Sequence, residues 1–338
     1  MRKRIVGIFL VSIMLLFVLA GCGTKSQKDV VTDLGNKLDK MEGYKTNALL
    51  TFKQGKKNQT YQAEIWFKKP SYYRVVLSDM KKQNTQMILR NKEGVYVLTP
   101  QLNKTYKFDS NWPNNRSQAY LFQSLANDIM NDADSTFTSK NNQYIFKTKT
   151  SYQTKELANQ QITLKKDLTP TSVKVMDKDM NVVVDVTFKN FQVDPKLSTS
   201  DFNVKENMTT SSLEKSQSTS GKVASSTSFE VAYPTIKLEG TKMKEMKSVT
   251  TGGSKKFILR YSGKKPYTLI ESQSQVMSTS SPVQVSGEPV NMGSGVATLG
   301  ENSLTWSHGG TDYYLVSDKL TDQEMQDVAR SVAGKVEK

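Results

Sequence analysis

In 338 residues the chain carries one cysteine, Cys22, and one histidine, His308, so any chemistry that needs a thiolate or an imidazole has a single place to occur. A lone histidine with no cysteine beside it does not make a metal site by itself, because zinc requires three or four converging nitrogen, sulfur or carboxylate ligands. A Ser-His-acid triad needs an activated serine, and no G-x-S-x-G elbow is present to supply one. His308 sits in a Ser-His-Gly-Gly turn beside Trp306 and reads as structural. The glycine-rich stretches are equally ordinary. In MGSGVATLG, Gly293, Gly295 and Gly300 miss the dinucleotide-binding spacing, and TGGSKK at 251–256 lacks the first glycine of a phosphate loop. The sequence therefore predicts no catalytic residue, no metal site and no cofactor.

What remains is the sulfur of Cys22. Arg2, Lys3 and Arg4 precede an apolar run from Ile5 to Leu19, after which Ala20 and Gly21 lead to Cys22 and a polar Gly-Thr-Lys-Ser-Gln. A membrane-spanning helix needs about 20 apolar residues, and this run is shorter. Its basic start, apolar middle and small-residue end are those of an export signal. Leu19-Ala20-Gly21-Cys22 resembles the bacterial lipobox. The resemblance implies that residues 1–21 are a removable signal peptide and that the sulfur receives diacylglycerol. Residues 22–27 then form a lipidated tether to the extracytoplasmic face of the cell membrane. An uncleaved anchor with an idle thiol is the alternative, and it places the rest of the chain on the same side. With no second cysteine, no internal disulfide can form, so stability must come from packing and strand pairing.

The formal net charge is +15, and it falls to +12 if Arg2, Lys3 and Arg4 leave with the signal. A basic balance of this size raises nucleic acid as a partner. The lysines are instead spread as pairs (Lys56-Lys57, Lys68-Lys69, Lys81-Lys82, Lys165-Lys166, Lys255-Lys256), with no basic arm or helix. A tethered extracytoplasmic protein faces anionic lipid or wall polymer, where each nearby lysine contributes about 1 kcal/mol. A solvated lysine-rich surface explains the same residues, and no nucleic-acid partner is expected.

These residues need elements to position them. The length from Cys22 onward suggests two domains. Between Thr209 and Ser228, Ser or Thr fills 12 of 20 positions, a composition that behaves as a flexible linker. It divides a domain at 28–208 from one at 229–338. The first opens with an amphipathic helix in which Val30, Val31, Leu34, Leu38 and Met41 share a face and Ser26 with Asp29 forms a capping pair. After Gly43 the period becomes two, giving six strands within TNALLTFKQG, QTYQAEIWFKK, YYRVVLSD, TQMILRN, GVYVLTP and KTYKFD. A helix aligning Leu121, Phe122, Leu125 and Ile129 follows. Four more strands come after it, in NQYIFKTKT, NQQITLKK, TSVKVMD and NVVVDVTFKNF. The C-terminal half reads as α+β, with strands in FEVAYPTIKL, KKFILRYSG, YTLIESQSQ, VATLGENSLTWSHG and TDYYLVSD. A last helix is capped by Thr321 and Glu324, stapled by Leu320 and Met325, and continued by Val328, Ala329 and Val332.

The strand ending in Trp66, the basic pair and Pro70, the aromatic strand after it, and Gly94, Tyr96 and Pro100 in the next hairpin together resemble the LolA/LolB lipoprotein-carrier family over about 28–205. More closely, the chain resembles sporulation- and germination-associated lipoproteins of endospore-forming bacteria. The resemblance implies a mainly β fold, an unclosed antiparallel half-barrel with lid helices whose concave face accepts acyl chains. Candidate lining residues are Ile65, Phe67, Val75, Leu77, Met87 and Leu89, although an alternating apolar face serves equally well as plain core. Carriers of the family have arginine before this proline as a lid latch. The position here is Lys69, which lacks arginine's rigid fork and puts a lid cycle in question. The ending with Trp306, Gly309, a Tyr-Leu strand and a helix resembles a small domain of other bacterial envelope proteins and implies a binding module with a protein partner. Two readings stay open: a tethered scaffold that docks a protein partner, and a carrier or sensor of acyl chains.

Overall fold

The structure is a computed structural model describing residues 25–54, 57–81, 84–114, 118–150, 157–209, 229–251, 254–278, 281–292 and 295–332. Cys22, the export segment and the Ser/Thr-rich stretch from 210 lie outside the described residues. Among the described residues no helix is long and apolar enough to cross a membrane.

Helix α1 (Gln27–Lys40) starts where the sequence predicts. The Ser26 side chain accepts from the Asp29 N–H while Asp29 accepts from the Ser26 N–H, satisfying two donors that a helix start leaves free. Six strands follow as a meander: β1 (Gly43–Gln54), β2 (Lys57–Lys68), β3 (Tyr72–Asp79), β4 (Thr85–Asn91), β5 (Gly94–Thr99) and β6 (Lys104–Phe108). Helix α2 (Phe122–Asn131) interrupts the strands. After it come β7 (Thr136–Lys140), β8 (Gln143–Lys149), β9 (Asn159–Lys165), β10 (Pro170–Met176) and β11 (Val182–Val193). The second half supplies β12 (Thr241–Thr251), β13 (Ser254–Gly263), β14 (Tyr267–Gln273), β15 (Val283–Val285), β16 (Glu288–Asn291), β17 (Val296–Leu299), β18 (Ser303–His308), β19 (Thr311–Val316) and α3 (Asp322–Val332).

The first sheet has the order β15-β6-β5-β4-β3-β2-β1-β11-β10-β9-β8-β7 and is open, with edges at β15 and β7. The two meanders meet where β1 pairs with β11, Ala48 opposite Phe188 and Leu50 opposite Val186. Laid flat, twelve strands would span roughly 50 Å, whereas two helices side by side cover about 20 Å. Yet one continuous core joins Val30 and Leu34 of α1, Phe122, Leu125 and Ile129 of α2, and inward residues from β1 through β6 and β8 through β11. The sheet meets both requirements by wrapping its apolar face around the helices.

The second sheet has the order β12-β13-β14-β19-β18-β17-β16 and is covered by α3. The predicted cap of α3 is present: the Thr321 N–H donates to Glu324 and the Glu324 N–H to the Thr321 hydroxyl, with Leu320 and Met325 buried in one cluster.

FEVAYPTIKL is not a strand; residues 229–238 are irregular and lie on the core, because β13 already has β12 and β14 as neighbours and Pro234 has no N–H to offer a ladder. Strands β7, β12, β15 and β16 were not predicted. Of these, β15 pairs in parallel with β6, so the C-terminal half supplies an edge of the first sheet.

Candidate ligand-binding face

Along β2, Tyr61, Ala63, Ile65 and Phe67 point inward, and their cross-strand partners on β3 are Asp79, Leu77, Val75 and Tyr73. Ile65, Phe67, Val75 and Leu77, four of the predicted lining residues, therefore share the wrapped face. They are buried in the same cluster as α1 and α2. Met87 and Leu89 do not belong there. In β4 it is Ile88 that lies opposite Val75 and faces inward, while Met87 and Leu89 lie opposite Val76 and Arg74 and face outward. They form a second apolar cluster with Tyr96, Leu98, Phe202 and Met208, covered by the 196–209 segment. The physical reason is that β4 is buried on both sides, so apolar residues run consecutively and period two is lost.

An aromatic group closes one end of the wrapped face. Tyr44 stacks on Phe191 with centroids 4.9 Å apart and meets Phe67 at 5.7 Å and the edge of Phe122 at 6.2 Å; Tyr73 bridges Phe67 and Trp112. The Tyr44 hydroxyl also accepts the Phe122 N–H at 3.2 Å, standing in for the side-chain cap that Leu121 cannot provide. Burial holds the Tyr44 and Tyr73 phenols well above their ordinary range, so both stay neutral donors and acceptors.

Polar contacts fix α1 over this face from both ends. The Gln27 amide donates to the Ser135 carbonyl and hydroxyl at 3.1 and 2.9 Å, and Lys37 Nζ donates to the Asp167 carbonyl at 2.9 Å. Lys69, at the latch position, donates from Nζ to the Asp39 carbonyl at 2.6 Å, a cation at a helix C-terminus. One backbone acceptor on α1 thus replaces the multidentate grip an arginine would offer. Behind it, Asp194 accepts the Glu42 and Gly43 N–H groups at 2.7 and 3.1 Å. Gly43 is required there, since a Cβ would collide with the Phe67 carbonyl oxygen.

On the outer face a ladder of directly opposed residues crosses six strands: Lys45, Trp66, Arg74, Leu89, Tyr96 and Lys107. Lys45 Nζ lies 3.6 Å and the Arg74 guanidinium 4.3 Å from the Trp66 ring centroid. Arg74 also donates to Glu64 at 2.6 Å and to Asn207 at 2.7 Å, riveting the 196–209 segment to the sheet. Trp66, singled out as a motif residue, is thereby placed outside, away from the wrapped face. His308 closes β18 at the turn to β19. Among the described residues, no group of three His, Cys, Asp or Glu could hold a metal.

Residues 2–202 match the family described as "Sporulation protein YdcC-like". The chain is 44% identical over 339 aligned positions to "Sporulation protein YdcC" of Bacillus subtilis (strain 168), covering 100% of this chain and 99% of that one. The chain belongs to the YdcC-like sporulation protein family. Solved structures similar to it share little sequence. The LolA superfamily protein NE2245 from Nitrosomonas europaea has a TM-score of 0.32 at 9% identity, over 54% of this chain and 100% of that one. A putative outer membrane lipoprotein-sorting protein domain from Vibrio parahaemolyticus has a TM-score of 0.33 at 10% identity, over 54% and 99%. MucB in complex with MucA(peri) has a TM-score of 0.30 at 9% identity, over 89% and 97%.

Proposed function

We propose that this YdcC-like protein is a lipid-anchored extracytoplasmic scaffold of sporulation, germination or envelope assembly that docks a protein partner without catalysis. The observation that carries this reading is the state of the wrapped face: Ile65, Phe67, Val75 and Leu77 are at most 5% exposed and share one core with Val30 and Leu34 of α1 and Phe122, Leu125 and Ile129 of α2. A face already filled by its own helices supports a rigid platform. Diacylglycerol on Cys22 adds two buried chains, which resist release from the membrane and favour a fixed scaffold over a shuttle.

An acyl-chain carrier or sensor is the second reading, and one observation favours it. Helix α1 covers the wrapped face as one layer, tied down by a few polar contacts, Gln27 to Ser135 at its start and Lys37 to Asp167 and Lys69 to Asp39 toward its end. Each CH2 placed where α1 now packs would gain about 0.8 kcal/mol. Native mass spectrometry of the protein lacking residues 1–22 separates the two. Co-purifying lipid of defined mass supports the carrier; an empty protein that forms a stoichiometric complex with one partner supports the scaffold. The anchor is tested by Cys22→Ser, which moves the protein from the membrane to the soluble fraction and removes the mass of diacylglycerol.

A further inference from the structure

Residues 229–238 lead from the Ser/Thr-rich stretch into β12 and cross the core of the second sheet without joining it. Phe229, Val231, Ala232, Ile236 and Leu238 pack on that core, with the Phe229 ring 5.1 Å from Phe257. The polar contacts of this segment include the Thr235 hydroxyl donating to the Ser331 carbonyl at 3.3 Å, and the Leu238 carbonyl accepting from the Thr241 N–H at 3.1 Å. Its central contact is to Glu271 of β14: the Ala232 N–H donates to Oε2 at 2.9 Å.

Glu271 has no exposed surface, and its second oxygen, Oε1, meets no donor among the described residues. Across the sheet it lies opposite Phe257 on β13 and Tyr313 on β19. The titratable groups around it are Tyr261 on β13 and Tyr313 on β19, both held neutral by burial, with Tyr233 and Glu230 on the segment itself. Of the charged groups of α3, Glu324 pairs with Lys265 and Arg330 with Asp327. Among the described residues no cation pairs with this carboxylate. Desolvation pushes Glu271 up to about 7, opposed by the Ala232 N–H.

We propose that residues 229–238 are a releasable strap latched by Glu271, held down over the neutral carboxyl and lifted when that carboxyl ionises. A neutral carboxyl needs little beyond the one N–H it accepts. An ionised one is stranded with a single donor in an apolar core, and lifting the strap is what admits water to it. With the carboxyl near 4.5 once solvated and near 7 beneath the strap, the opening equilibrium gains about tenfold per pH unit between those values, on the order of 300-fold in all. Opening uncovers the apolar face between the second sheet and α3 and frees a segment that continues into the Ser/Thr-rich stretch.

Hydrogen exchange followed by mass spectrometry on the full-length chain tests this from pH 5 to 8.5, with rates corrected for the intrinsic pH dependence. The expected result is that protection of peptides spanning 229–238 falls about tenfold per unit up to pH 7 and then levels, while peptides of β18 and β19, which open only with the whole molecule, stay far better protected at every pH. Glu271→Gln keeps an acceptor for the Ala232 N–H and cannot ionise, so its strap should stay protected throughout. Ala232→Pro removes the donor and should show the lifted strap already at pH 5. The proposal is overturned if the wild-type strap is as well protected as β19 at every pH, so that it opens only with the whole molecule. It is overturned equally if strap protection is flat with pH, or if Glu271→Gln follows the wild-type profile.

Discussion

The Tyr44 hydroxyl does two jobs at once, filling the aromatic end of the wrapped face and capping α2. Tyr44→Phe keeps the ring packing and orphans the Phe122 N–H, so urea denaturation should show a loss of about 1 kcal/mol. Leu89 is a sharper case. Read as a lining residue, it would tolerate truncation, whereas as an outward core residue under Phe202 and Met208 it should not. Leu89→Ala should cost about 2–5 kcal/mol, and limited proteolysis should then cut within 196–209 first. The sequence distinguishes inside from outside only where one face of a strand is polar. In β2, Gln62 and Glu64 alternate with Ala63 and Ile65, so the inward set is legible; in TQMILRN three apolar residues in a row conceal which of them faces the helices. The bond from Lys69 to α1 could not be read at all, because it depends on where the helix ends in space.

At the scale of elements, local signals carried furthest where the element depends on itself. Both capping boxes are of this kind: one residue pair specifies each, and both α1 and α3 start where that pair stands. Ser26→Ala should destabilise by about 1 kcal/mol in thermal unfolding, and the loss should be matched in circular dichroism by fraying of the first turn of α1. Elements whose existence depends on neighbours were missed. Strand β12, TKMKEMKSVTT, is exposed along nearly its whole length, so it has no buried face to impose period two, and pairing with β13 is what makes it a strand. The 229–238 segment errs in the opposite direction. Its composition is that of a strand, and the sheet has no vacant edge beside β13 to receive it.

The whole molecule is held together by contacts between residues far apart in sequence. Lys104 of β6 donates to both oxygens of Asp312 in β19 at 2.8 and 3.1 Å, and Asp312 also accepts from Ser274 and Ser307 at 2.6 Å. The Gln86 side chain joins β4 to β17, accepting from the Val296 N–H at 2.5 Å and donating to Thr99 at 3.2 Å. Asp312→Ala would strand a buried Lys104 and should cost about 3 kcal/mol, with Lys104→Met costing less because no charge is left behind. Stability should also depend on pH with a maximum on the acid side of neutrality. Glu271 is raised in the folded state, so the protein binds more protons folded than unfolded between about 4.5 and 7, and stability falls as pH rises through that window. Asp167 and Glu324 are lowered by their hydrogen bonds and nearby lysines, so their contribution is present above the ordinary carboxylate range and fades as pH falls below it. Urea midpoints across pH 3 to 9 should peak near pH 5, and in Glu271→Gln the alkaline side of that peak should flatten.

Leaving any exit N-terminal end first, the chain presents β6 long before residues 283–285 follow to pair with it. Until they arrive, β6 stands at the edge of the first sheet with a bare row of backbone donors and acceptors, the kind of edge that recruits strands from other molecules. The same three residues therefore shield β6 and move that edge of the sheet to the much shorter β15. A chain truncated at the Ser/Thr-rich stretch would keep α1, α2 and β1 to β11, and it would aggregate through β6.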